Sequence, residues 1–166
     1  MVSYPNTWAR GPLTDVANAY LDFLQTINWK NETYMGGIQE GKNKFLSNAW
    51  LKACGPKNKY HKTHLASPNA ARIMESGEKS PMIWEHVVPK QEHIQSVCEN
   101  LAISGDLTID TVIELLEKYW VTATVLKTED ELLSRFKMPN DWDRLDIFVR
   151  YKSAGISLIE NPFFTS

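Results

Sequence analysis

The sequence predicts an α+β fold, a mostly helical single domain that spans residues 1–166 and surrounds a small β-sheet. A length of 166 residues fits one domain, and a hydrophobic content of 43% supplies a core. Apolar residues recur at helical spacing through most of the chain, whereas only two segments are both apolar and rich in β-forming residues. Two main strands cannot build a doubly wound sheet, so we expect helices packed around a small one.

The first half of the chain is predicted to be helical. Thr14 can cap a helix whose apolar positions continue to Ile27, and the Gly55-Pro56 pair stops a second helix. Ser67 followed by Pro68 is a favourable helix start. After the first helix we predict, in order, a turn or short extended piece over Asn31–Gly37, a helix over Gln39–Ala53, a polar basic loop over Lys57–Thr63, and a short helix that ends near Gly77.

Both main predicted strands lie in the second half of the chain. Met82–Val88 and Trp120–Leu126 are apolar and β-rich, and Pro89 ends the first. Thr128 and Glu131 fit a capping box that opens a helix. Helices are predicted over Lys90–Ala102, from Thr108 to Tyr119, from Thr128 to the break at Met138-Pro139, and over Asp146–Ala154, before a short strand over Ile156–Ile159.

Cysteine usage and hydropathy predict the cellular compartment. Cys54 and Cys98 are the only two cysteines, and they form no CxxC pair, so we expect buried structural thiols and no structural zinc site. The N-terminal segment has no apolar run behind a basic start, so no signal peptide is expected. No stretch approaches the roughly 18 apolar residues of a membrane span. The sequence therefore predicts a cytoplasmic protein without a membrane partner.

Charge is distributed unevenly although the net charge is only −2. Gly41–Met74 holds seven basic residues and no acid, whereas Pro81–Leu133 holds ten acids and three lysines. A basic face can attract phosphates, and an acidic cluster can hold a cation. The alternative is that the lysines form a solvated loop surface, and a pI near 6.1 argues against a purely electrostatic nucleic-acid binder.

The most informative segment is Trp84-Glu85-His86-Val87-Val88-Pro89. Neighbours in a strand point to opposite faces, so Glu85 and His86 can both face the core only where the strand bends or ends, and Pro89 supplies an end. This stretch resembles the first half of the HNH, or ββα-metal, nuclease motif, in which a strand carries an acid, a histidine and then a proline. The resemblance implies that His86 is the general base that activates water and that Glu85 holds a divalent cation against the scissile phosphate.

The same resemblance implies a second strand and a helix that supplies a further ligand. Trp120–Leu126 and the helix from Thr128 follow in that order, with Glu129 and Asp130 in the first helical turn. The resemblance thus implies a ββα-like core over residues 82–136 with a helical insertion over residues 90–119. No histidine follows His93, so the final histidine of the motif is absent, and the middle asparagine cannot be placed. The tail of the chain resembles that of bacterial proteins with the same Glu-His-Val-Val-Pro stretch.

Structural interpretations of the same residues remain open at the sequence level. His86 can be a buried histidine that bonds to the backbone, Glu85 can pair with a lysine at the surface, and the acids from Glu129 to Glu131 can favour the positive end of a helix. The basic loop has the same two interpretations, phosphate contact or simple solvation. Its candidate nucleic-acid-binding residues are Lys57, Lys59, His61, Lys62 and His64.

We therefore predict an endonuclease that depends on Mg²⁺ or Mn²⁺ and hydrolyses DNA phosphodiester bonds. His86 is the predicted general base, and Glu85, Glu129 and Asp130 are the predicted metal ligands. DNA is the expected partner. One alternative is a non-catalytic protein-interaction or regulatory domain on a degenerate nuclease-like scaffold, which the missing final histidine favours. Another is an RNase toxin that uses His86 without a metal.

Overall fold

The computed structural model describes residues 10–134 and 137–164. Within these ranges the chain is mostly helical and carries a small four-stranded sheet, which confirms the predicted α+β class. The elements follow in the order α1 (Arg10–Thr26), α2 (Glu32–Ala53), a 3-10 helix (Lys59–Lys62), β1 (Leu65–Ala66), α3 (Pro68–Ser76), β2 (Met82–His86), a π-helix (Gln91–Gln95), α4 (Ser96–Ser104), α5 (Ile109–Tyr119), β3 (Thr122–Leu126), α6 (Lys127–Asp130), α7 (Val149–Ser153) and β4 (Ile159–Glu160).

Two compact units can be distinguished in the chain, and each is assembled from two separate stretches. The helical unit consists, among the described residues, of 10–56 and 91–118, and the sheet unit consists of 57–90 and 119–164. Helices occupy the chain between β2 and β3, and residues 91–118 of this stretch belong to the helical unit. Every predicted site residue lies in the sheet unit.

The helical unit is built on α1 and α2. Tyr20 and Leu24 of α1 and Leu46 and Trp50 of α2 are fully buried, because their spacing places them on one face of each helix. A buried ion pair joins α2 to α4, with the amino group of Lys42 lying 2.6 Å from Glu99 Oε2. No described helix is both long enough and apolar enough to cross a bilayer.

The sheet unit has the strand order β2-β3-β1-β4. β2 and β3 are antiparallel, with Glu85 opposite Ala123 and His86 opposite Thr122. β1 runs parallel to β3 and antiparallel to β4. The two predicted strands are thus confirmed and pair as a hairpin whose connection contains the helical insertion. In the chain, α6 directly follows β3.

Helix starts account for most of the differences from the predicted elements. The prediction of a turn or extended piece over Asn31–Gly37 is wrong, because Asn31 caps α2 by accepting a hydrogen bond from Tyr34 N at 2.9 Å. Gly36 and Gly37 lie inside that exposed first part of the helix. Thr14 is not a cap either, since α1 begins at Arg10.

The predicted capping box at Thr128 is also wrong. The helix α6 begins at Lys127, and Glu129 rather than Glu131 accepts the hydrogen bond that caps it, from Leu126 N at 2.9 Å. This helix ends at Asp130, well before the predicted break at Met138-Pro139, and the intervening residues 135–136 lie outside the described residues. The segment that bears on a signal peptide, residues 1–9, lies outside them as well.

The predicted loop over Lys57–Thr63 is more ordered than expected. It contains the 3-10 helix, which Asn58 caps by accepting a hydrogen bond from Tyr60 N at 3.0 Å. Strand β1 follows at once and was missed, because two residues give no readable alternation of apolar and polar positions. Lys62 and Thr63 are buried, so the interpretation of this segment as a solvated loop is wrong for its end.

Candidate functional site

The predicted acid–histidine pair lies at the end of β2. Glu85 forms an ion pair with Arg150 of α7, with its Oε1 2.7 Å from Arg150 Nη2. The Arg150 side chain is 2% exposed and that of Glu85 is 20% exposed. Arg150 also donates to the backbone carbonyl oxygens of His86 and Ser134. Its guanidinium thus fixes the carboxylate, the strand end and the segment after α6 at the same time.

The ring of His86 is enclosed by two tryptophans. Its centroid lies 4.8 Å from that of Trp84 and 4.7 Å from that of Trp120, both in edge-to-face geometry. Burial, with smaller contributions from the positive charges of Lys90 and Arg150, lowers the pKa of His86 to about 3. A base with so low a pKa accepts a proton poorly near neutral pH, because efficient general bases have a pKa close to the working pH.

Glu129 joins three elements of the sheet unit by accepting hydrogen bonds. Its Oε2 accepts from Ser67 Oγ at 2.6 Å and from Leu126 N at 2.9 Å, and its Oε1 accepts from Asn69 Nδ2 at 3.1 Å. Ser67 in turn caps α3. The carboxylate that was predicted to hold a metal therefore links the start of α3 to the junction of β3 and α6.

Asp130 is buried, with 8% of its surface exposed. Its charge acts on the same side chain as the charge of Glu85, namely the phenol of Tyr151. Burial raises the pKa of Tyr151, the Glu85 charge raises it further, Arg150 opposes that rise, and the Asp130 charge adds to it. The charges of Glu85 and Asp130 thus both act on the Tyr151 phenol, and so does that of Arg150.

The carboxylates do not gather into a cation site within the described residues. Across 10–134 and 137–164, no group of three or more His, Cys, Asp or Glu side chains is arranged to hold a metal ion. A hard cation needs several oxygen ligands directed at one point. Glu85 is held by a cation of the protein itself and Glu129 by three donors, so this set does not fit the metal that the nuclease resemblance implies.

The predicted nucleic-acid-binding residues fall into two groups. Lys57 and Lys59 are exposed, and the half-exposed ring of His61 stacks on Phe163, with centroids 4.5 Å apart and planes 15° from parallel. Lys62 is only 8% exposed. Only the first group therefore reaches the surface to a degree that suits contact with a phosphate.

His64 lies inside the sheet unit rather than on its surface. Its Nδ1 accepts a hydrogen bond from Thr122 N at 3.1 Å and lies 3.0 Å from Thr122 Oγ1, and the residue is 4% exposed. Burial lowers the pKa of His64 to about 4. This histidine therefore ties β1 to β3 in its neutral form.

Two residues that matter most to this region were missed at the sequence level. Arg150 is the buried cation that holds Glu85, and Asn161 is a buried amide, 4% exposed, that anchors the C-terminal segment. The available signal for Arg150 was a single arginine among apolar residues of a predicted helix, Ile147 to Tyr151. Such a residue is buried only when it finds a partner, and the partner was not identifiable from sequence.

An open pocket of about 390 Å³ lies beside Arg150. Polar and apolar side chains line it, and Lys137 adds a second cation to that of Arg150. The residues that line it are Leu132, Ser134, Lys137, Met138, Pro139, Asn140, Arg150, Ser153 and Ala154.

No protein-family model, no curated protein and no solved structure matches the chain.

Proposed function

We propose that this chain is a binding domain without catalytic activity, built on a nuclease-like ββα arrangement. The observation that carries the proposal is the ion pair between Glu85 and Arg150 at 2.7 Å. A metal ligand must offer its oxygen to the cation, whereas this oxygen faces a guanidinium that is itself almost completely buried. The partner is a nucleic acid or another protein.

The state of His86 supports the same proposal. A general base contributes about 10²–10⁴-fold to a rate when its pKa suits the reaction. The pKa of His86, lowered to about 3 by burial, makes it a weak base near neutral pH. This argues equally against an RNase that uses His86 without a metal.

A second candidate is the endonuclease that depends on Mg²⁺ or Mn²⁺. It is favoured by the order β2, β3, α6 and by the charges of Glu85 and Asp130, which both raise the pKa of the same Tyr151 side chain. For this candidate to hold, Arg150 must release Glu85 when a metal binds. The two candidates therefore differ in what happens to the Glu85–Arg150 pair.

A cleavage assay separates the two candidates. We expect the purified protein to leave plasmid DNA, single-stranded DNA and RNA intact in Mg²⁺, in Mn²⁺ and in EDTA. The matched variants are Glu85→Gln and Asp130→Asn, which keep the side-chain shapes and remove the charges. Cleavage by the wild type that requires metal and disappears in both variants would overturn the proposal in favour of the endonuclease.

Metal binding is measured on the same samples. A cation that binds only the folded state, and is present at a concentration about 100 times its Kd, adds about 2.7 kcal/mol to the free energy of unfolding. We expect no such increase with Mg²⁺ or Mn²⁺. An increase that both variants abolish would contradict the proposal even without detectable cleavage.

A further inference from the structure

The sheet unit carries a stacked, partly exposed pair of rings, and one of the two belongs to a segment with exposed cations. We call this set of residues the basic–aromatic face and define it by Lys57, Lys59, His61 and Phe163. The His61 and Phe163 rings are stacked at 4.5 Å, and each is partly exposed. Both lysines are exposed and come shortly before His61 in the chain. One short segment thus supplies two exposed cations and one ring of the stacked pair.

Asn161 positions the backbone segments that carry the two stacked rings. Its amide nitrogen donates to Tyr60 O at 2.9 Å and to Thr63 O at 3.0 Å, which fixes the segment that carries His61. Its amide oxygen accepts from Phe163 N at 3.0 Å, which fixes the other ring. Since Asn161 is only 4% exposed, one buried side chain positions both halves of the stack. Such preorganisation lowers the entropy that a ligand must overcome on binding.

The segment that supplies Lys57, Lys59 and His61 carries charge of one sign. No acid occurs between Gly41 and Met74, the stretch that supplies both lysines and His61. The amino group of Lys59 lies 4.9 Å from the centroid of the Tyr60 ring, so this cation also sits next to an aromatic surface. Exposed rings beside cations are the arrangement by which proteins hold single strands, because bases stack on the rings and phosphates meet the cations.

We propose that the basic–aromatic face binds single-stranded nucleic acid, with a base stacked on the His61–Phe163 pair and phosphates held by Lys57 and Lys59. The proposal rests on the proposed binding function and names its partner. A single strand is favoured over a duplex because only unpaired bases can leave their own stack to pack against a protein ring. The stacking carries little sequence preference, since every base has an aromatic face.

The first test measures affinity by fluorescence anisotropy over a range of NaCl concentrations. The probes are labelled oligothymidine, oligouridine and a DNA duplex of the same length. We expect the wild type to bind a single strand more tightly than the duplex. In Lys57→Gln/Lys59→Gln, the slope of log affinity against log salt should fall by about 1.4, at about 0.7 per phosphate contact. The control Lys118→Gln/Lys137→Gln removes two exposed lysines outside the face and should keep the slope.

The second test separates stacking from packing. Phe163→Leu keeps an apolar side chain but removes the ring, and we expect single-strand affinity to fall about 5- to 150-fold. Phe163→Tyr keeps the ring and should bind like the wild type. Circular dichroism and thermal unfolding of both variants check that the fold is retained. Equal affinity in Phe163→Leu and Phe163→Tyr, tighter binding of the duplex, or an unchanged salt slope in the lysine variant would each overturn the proposal.

The failure of this proposal and the failure of the proposed function have different signatures. If the wild type neither binds nor cleaves any of the probes, the single-strand assignment is wrong and a non-catalytic domain with another partner remains. If the wild type cleaves a probe in a metal-dependent manner that requires Glu85 and Asp130, the proposed function is wrong whatever the affinities are.

Discussion

The predicted site has an acidic side, formed by Glu85 and Glu129, and a basic side, formed by Lys57 and Lys59. The two sides differ in what their charged groups contact. On the acidic side, Glu85 is bound by Arg150 and Glu129 by three hydrogen-bond donors, so the carboxylates contact other parts of the protein. On the basic side, Lys57 and Lys59 are exposed and lie shortly before His61, one ring of a stacked pair, in the chain. Residue types alone suggested a ligand site on both sides. Their surroundings favour a structural role for the first and a binding role for the second.

This difference shows how a charged residue in a sequence motif should be interpreted. A carboxylate whose oxygens are occupied by buried donors stabilises the fold, and removing a partner leaves a poorly solvated charge. An exposed cation loses little on substitution, and its effect appears when a ligand of opposite charge is present. Stability measurements and binding measurements should therefore respond to opposite sides of the site.

The largest expected effect comes from breaking the Glu85–Arg150 pair. Arg150→Met should lower the free energy of unfolding by about 3–5 kcal/mol, because Glu85 loses its partner and two backbone carbonyls lose a donor. Urea unfolding monitored by fluorescence gives the value. The exposed Lys137→Met is the control and should stay within about 0.5 kcal/mol of the wild type. A loss below about 1 kcal/mol in Arg150→Met would mean that Glu85 is available for a ligand, and the contrast between the two sides would fail.

The next effect concerns pH and comes from the buried histidines. Burial lowers the pKa of His64 to about 4 and that of His86 to about 3, so the unfolded chain, with ordinary values near 6.5, binds the extra protons first. Their contribution to stability is complete above about pH 6.5 and is lost as the pH falls toward these folded-state values. Between pH 7 and pH 5.5 we expect a loss of about 1.2 kcal/mol per histidine.

Urea unfolding at several pH values between 7.5 and about 5 tests this expectation. His64→Asn places an amide near the position of Nδ1, so it can still accept from Thr122 N, and it cannot titrate. If only His64 and His86 contribute, the free energy of unfolding should change with pH about half as steeply in this variant as in the wild type. An equally steep dependence in the variant would show that His64 is not protonated on unfolding and that the acid sensitivity has another source.

The elements that the sequence predicted are those with a repeated local pattern. β2 and β3 and the helices α1, α3 and α5 are recognisable because apolar periodicity and caps are local properties. β1 has two residues and is identified only by its pairing with β3, which involves residues far away in the chain. The start of α2 was missed because the Gly36-Gly37 pair outweighed the Asn31 cap.

The site was less predictable than the fold because its decisive contacts are long-range. Glu85 meets Arg150 at a separation of 65 residues, and Asn161 meets Thr63 at a separation of 98. The stretch Glu85-His86-Val87-Val88-Pro89 would read the same with or without Arg150 next to it. A local motif therefore identifies residue types, and only the folded chain shows which of their atoms remain available to a ligand.

The smallest effect separates two neighbouring acids, Glu129 and Glu131. Glu129→Gln should lower the free energy of unfolding by about 1–2 kcal/mol, because a neutral amide replaces a carboxylate that accepts from three donors, one of which caps α6. Glu131→Gln changes an exposed residue of the same type and should stay within about 0.5 kcal/mol of the wild type. Chemical unfolding of both variants in EDTA gives the structural difference, and repeating it in Mg²⁺ asks whether the carboxylate has a second role. If Glu129→Gln matches Glu131→Gln in EDTA but is less stable than it in Mg²⁺, Glu129 acts as a metal ligand, and the acidic side of the site must be assigned to binding as well.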